Sequence, residues 1–92
     1  MKTVTIQIGN TDDKLRQAQW AQFVMDLDTV VKLDCGQVHF CGHSAGDAPW
    51  QNYCVVAECD DLGWLQMQLS ELAKKHGQDS IAMTAGNTVF AS

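Results

Sequence analysis

The stretch QVHFCGHSAGDAPWQNYCVVAEC, Gln37 to Cys59, decides the fold. Its opening alternates with a period of two, which is that of a β-strand: Val38 and Phe40 face one way, and His39, Cys41 and His43 face the other. Asn52 to Cys59 alternates again, with Tyr53, Val55, Ala57 and Cys59 on one face and Cys54, Val56 and Glu58 on the other. Between them Ser44 to Gln51 holds Gly46, Asp47 and Pro49, all turn formers. Two strands joined by a polar loop with no helical period between them make a hairpin. A register pairing His43 with Asn52 sets Cys41 opposite Cys54.

Working outward, both flanks of the hairpin are helical. Upstream, Trp20, Phe23, Val24, Leu27, Val30 and Val31 recur at spacings of three and four, with Leu15 one turn earlier. Asp12 and Asp13 place negative charge where a helix dipole is positive, so the helix is expected to begin there and to stop near Leu33. Downstream, Asp60 and Asp61 are N-cap residues for a helix with Leu62, Leu65, Leu69, Leu72 and Ala73 on its apolar face. Lys74, Lys75 and His76 suit its negative end, and Gly77 suits a left-handed exit. Beyond the helices, Thr3 to Ile8 alternates, with Val4, Ile6 and Ile8 inward. Ile81 to Thr84 and Thr88 to Ala91 supply a last strand, either bulged or split at Ala85, Gly86 and Asn87.

The order strand, helix, strand, strand, helix, strand predicts an α+β, ferredoxin-like βαββαβ fold, a four-stranded antiparallel sheet with two helices on one face. Right-handed crossovers bring both helices to that face and bury Val4, Ile6, Ile8, Val38, Phe40, Val55 and Ile81 beneath them. The other face has no cover. With the first and third strands central, it should present Thr5, Gln7, Cys54, Val56 and Glu58, flanked by His39, Cys41 and His43.

Composition narrows the function. The 92 residues weigh 10.1 kDa and read as one domain over 1–92. Six basic against eleven acidic residues leave a net charge of −5, which disfavours a nucleic-acid or anionic-membrane partner. No apolar run reaches the roughly 18 residues of a membrane span. The first residues lack a basic segment followed by an apolar stretch, so a cytoplasmic location with reduced cysteines is expected. No glycine-rich phosphate loop is present, and no cofactor is expected.

Chemistry-bearing residues gather on the hairpin. His39, Cys41, His43 and Cys54 are the ligand types zinc prefers, although side chains two apart on a strand splay by nearly 7 Å. The same set also permits a Cys41 to Cys54 bridge, or a thiol nucleophile with histidine as base. Asp12 with Asp13 and Asp79 with Ser80 read as helix capping and a turn in preference to catalytic pairs. Trp50 in the loop and Trp64 off the helix stripe are large aromatics outside the core, the residue type that anchors protein contacts.

The segments IQIGNTDDKL (Ile6 to Leu15), APWQN (Ala48 to Asn52) and GQDSIAMTAG (Gly77 to Gly86) resemble those of small uncharacterised proteins of actinobacteria and their phages. The resemblance implies an intracellular accessory role without a nameable activity, and a phage origin adds action on a host protein. The expected function is a noncatalytic interaction module, a homodimer or a binder of another protein, with Thr5, Gln7, Val56, Glu58, Trp50 and Trp64 as interface residues. The alternative is a small-ligand binder, or a thiol- or metal-dependent enzyme, using His39, Cys41, His43 and Cys54.

Overall fold

The computed structural model describes residues 2–91. The chain runs β1 (Lys2–Gly9), a short 3₁₀ turn (Thr11–Asp13), α1 (Gln17–Asp34), β2 (Val38–His43), β3 (Asn52–Cys59), α2 (Leu62–Lys75) and β4 (Ala82–Gly86). The strands form one antiparallel sheet in the order β2-β3-β1-β4. This is the ferredoxin-like arrangement, with β1 and β3 central.

The two central strands set the core. Val4, Ile6 and Ile8 pair with Ala57, Val55 and Tyr53, so these side chains share one face. Onto that face α1 lays Trp20, Phe23, Leu27 and Val31, and α2 lays Leu65, Leu69, Leu72 and Ala73, all buried. Burial of this kind contributes about 1.5–3 kcal/mol per large apolar side chain and is the principal source of stability. A polar tie joins the end of α2 to the middle of α1. His76 stacks on Phe23, with ring centroids 4.6 Å apart, and its Nε2 lies 2.8 Å from Asp26 Oδ2.

The second helix ends as its residues dictate. The Asp61 carboxylate accepts from the Trp64 backbone N–H at 3.0 Å. At the other end Gly77 turns left-handed, with φ +66°, while the N–H groups of Gly77 and Gln78 return to the carbonyls of Lys74 and Ala73.

Three expectations need correction. The first helix begins at Gln17, not at Asp12 and Asp13, which instead adopt left-handed φ of 57° and 52°. Asn10 causes this, because its buried side chain accepts from Leu15 N at 2.8 Å and donates to Leu15 O at 2.9 Å. That pair of bonds folds 11–15 into a tight turn and leaves Leu15 packed on the core outside the helix. Gln19 Oε1 then accepts from Arg16 N at 2.8 Å and satisfies one donor at the new start.

The second correction concerns β2. Val38 and Phe40 are not buried but 43% and 57% exposed: Val38 lies on an edge strand outside the cover of the helices, and Phe40 opposes Val56 on the face away from them. The third concerns the last strand, which is single and uninterrupted over Ala82–Gly86. Ile81 is half-buried before it, and residues 88–91 form no strand. Their Val89 and Phe90 side chains are 86% and 89% exposed.

Candidate functional site

The face away from the helices carries no other element of the described chain. Register assigns its residues: Thr5 lies between Val56 and Thr84, Gln7 between Cys54 and Ala82, and Thr3 between Glu58 and Gly86. Thr5, Gln7, Val56 and Glu58 therefore stand on the open face, as expected.

The edge strand behaves differently from its sequence pattern. Val38 opposes Ala57, but Phe40 opposes Val56, Cys41 opposes Val55, Gly42 opposes Cys54 and His43 opposes Tyr53. One extra residue, His39, is accommodated between Val38 and Phe40 as a β-bulge. Because side chains alternate strictly, this insertion reverses the facing of everything after it. Phe40 turns to the open face, while Cys41 and His43 turn to the helix side.

The expected cluster of His39, Cys41, His43 and Cys54 is therefore divided. His39 remains toward the open face, its Nε2 3.5 Å from Glu58 Oε1, and Cys54 shares that face. Cys41 and His43 lie on the other side of the sheet. Among the described residues no three His, Cys, Asp or Glu side chains are disposed to hold a metal ion, so the four-ligand set is not assembled. The Cys41 to Cys54 bridge fails for the same reason, and all four cysteines are free.

On the helix side a different grouping forms. The Tyr53 hydroxyl donates to Asp28 Oδ1 at 2.7 Å, and the His43 ring centroid lies 4.8 Å from that of Tyr53. Burial, with the Asp28 carboxylate and the Cys41 thiol beside it, pushes the Tyr53 phenol well above its ordinary range, so it stays a hydrogen-bond donor. Sequence reasoning missed Asp28 and Tyr53 as partners because the contact spans 25 residues between helix and sheet.

The open face is not flat. The Phe40 ring lies over Gly42, where an added Cβ would come within 2.7 Å of Phe40 Cζ, so only glycine leaves the ring its place. Beside it opens a concavity of about 430 Å³, lined by Phe40, Gly42, Gln7, Gly9, Asn52 and Cys54. A second hollow, of about 470 Å³, lies under the β2–β3 loop against Trp50, Gln51 and Gln17. Trp50 is half-buried there. Trp64 is 48% exposed, but its indole N–H donates to Asp34 Oδ1 at 2.8 Å, which ties it to the end of α1 in the helical layer. Neither tryptophan belongs to the sheet face.

No protein-family model matches the chain, and no curated protein matches its sequence. Solved structures match its fold. A formyltetrahydrofolate deformylase from Pseudomonas syringae pv. tomato aligns over 92% of this chain with a TM-score of 0.64 and 16% identity. A dimeric ferredoxin-like protein of unknown function from Thermobifida fusca aligns over 96% of this chain and 92% of its own, with a TM-score of 0.57 and 13% identity. The aspartokinase alpha and beta subunits align over 89% of this chain, with a TM-score of 0.53 and 13% identity. The chain spans only 28% of the deformylase chain and 48% of the aspartokinase chain. At these identities the likeness establishes a common fold, the ferredoxin-like one.

Proposed function

We propose that this chain is a noncatalytic interaction module that forms a homodimer through the open face of its sheet. The observation that carries the reading is the position of Phe40. The bulge at His39 moves this aromatic from the helix side to the face where Val56 stands, with 57% of its surface exposed. An aromatic beside a β-branched neighbour on an uncovered sheet gains from burial against a second such surface. Charge does not oppose the pairing. The net charge is −5, yet among the face residues of the four strands only Glu58 is a carboxylate, and His39 lies beside it.

A relative in fold described as dimeric supports the same reading. No helix among the described residues is long and apolar enough to cross a membrane. A cytoplasmic setting accords with the free thiols. The resemblance to phage proteins makes a host protein the rival occupant of this face.

The test is Val56→Glu, which sets a second carboxylate on the face. Light scattering is expected to give a dimer for the wild type and a monomer for the variant, with an unchanged circular dichroism spectrum. An unchanged dimer would mean that another surface is used. A monomeric wild type would favour the second reading, a small ligand held in the concavity beside Phe40, which falls within the usual size of ligand pockets.

A further inference from the structure

We propose that residues 87–91 are an exchanged arm, with Val89 and Phe90 of one copy seated in the concavity beside Phe40, Gly42 and Cys54 of a second copy. The inference rests on the face-to-face dimer and specifies what completes it.

The arm is anchored at its root and free at its tip. It leaves β4 at Gly86, which pairs with Thr3. Lys2 Nζ donates to Asn87 Oδ1 at 2.9 Å, and the hydroxyls of Thr3 and Thr88 are hydrogen-bonded, which draws the chain toward the open face. The next two side chains, Val89 and Phe90, are 86% and 89% exposed, the highest values among the exposed large apolar residues described. None of the described residues of their own copy covers them.

The concavity is at the wrong end of the sheet for a contact within one copy. It lies beside Gln7 and Gly9, whereas the arm root lies at Thr3. Four residues of strand separate Thr3 from Gln7, about 13 Å. Two residues beyond Thr88 the backbone reaches only about 7 Å, and the exposure of both side chains shows that neither is seated in the concavity of its own copy. Between two copies the distance closes. A two-fold axis lying across the strands stacks the open faces with the Thr3 end of one over the Gly9 end of the other, and an isologous contact then seats both arms at once.

Chemistry and area agree with this placement. The arm Asn-Thr-Val-Phe-Ala carries no charge, and the concavity is lined by no Lys, Arg, Asp or Glu. Its wall is the Phe40 ring, against which a second phenyl ring can take an offset or edge-on position. The face alone is small. Four strands about 4.8 Å apart, averaging roughly seven residues at about 3.3 Å each, present roughly 430 Å² per copy. A stable interface buries about 800 Å² per partner. Phe90 alone adds about 150–250 Å² per copy, which closes roughly half of the difference.

Two measurements on the full chain test the arm. Sedimentation equilibrium of Phe90→Ser should show a dimer dissociation constant raised roughly tenfold or more. Phe90→Cys in a Cys41→Ser background, oxidised with diamide, should yield a covalent dimer through the partner's Cys54, lost when Cys54→Ser is added. If the dimer persists and either signature is missing, arm exchange is overturned while the face-to-face dimer stands. If the wild-type chain stays monomeric at millimolar concentration, both are overturned.

Discussion

Phe40 lies directly opposite Val56 on the uncovered face of the sheet, although a strict alternation from Val38 places it beneath the helices. His39 is the residue that separates the two outcomes. It is taken up as a bulge on an edge strand, where one neighbour rather than two must accommodate it, and such bulges also increase local twist. The twist protects an edge that is otherwise open to pairing with other chains.

Deleting His39 is therefore expected to be tolerated. Without it Val38 still opposes Ala57 and Phe40 still opposes Val56, so no side chain changes face. The lost contact with Glu58 is a partly exposed pair, of the kind that contributes less than about 1 kcal/mol. Thermal unfolding should show Tm lowered by less than roughly 8 °C. Deleting Val55 from the central strand instead shifts pairing with both neighbours, and that variant should fail to fold.

Tyr53→Phe removes the hydroxyl that Asp28 accepts from at 2.7 Å and leaves the carboxylate short of a donor. Hydrogen bonds to a charged partner contribute about 1.5–3 kcal/mol. Chemical denaturation should show a loss in that range with an unchanged slope, since the ring stays buried. Asp28→Asn should lose less, because its amide oxygen still accepts from the phenol.

Asp26 makes stability depend on pH in the acid range. Lys75 Nζ at 2.9 Å, with Gln22 and His76 also bonded to it, holds its carboxyl down at about 2 against an ordinary 3.8, even though partial burial opposes this. A carboxyl depressed in the folded state stabilises above its unfolded value and loses that contribution as pH falls through the folded one. Urea midpoints should therefore drop between 3.8 and about 2. Asp26→Asn should start lower near neutrality and fall less over the same window. Equal falls in the two proteins would place the acid sensitivity elsewhere.

Much of the molecule was legible because local physics and tertiary packing agree. The alternation of Val4, Ile6 and Ile8, the phase of Tyr53, Val55, Ala57 and Cys59, and Leu65, Leu69 and Leu72 of α2 each name a buried face, and each is buried. Where the hydrogen bonds of one side chain compete with a compositional signal, the compositional signal loses. Asp12 and Asp13 have the composition of a helix start, but the side chain of Asn10 binds both backbone groups of Leu15 and holds the segment in a turn.

The periodicities alone determined that this chain makes two helices, their order among the strands, and which side of the central strands is covered. They could do so because a half-buried strand or helix writes its solvent boundary into consecutive residues. Which way Phe40, Cys41 and His43 face was decided by the tertiary structure. Two helices span only the central strands, so no burial constrains the edge strand's phase, and a single extra residue turns its remaining side chains over.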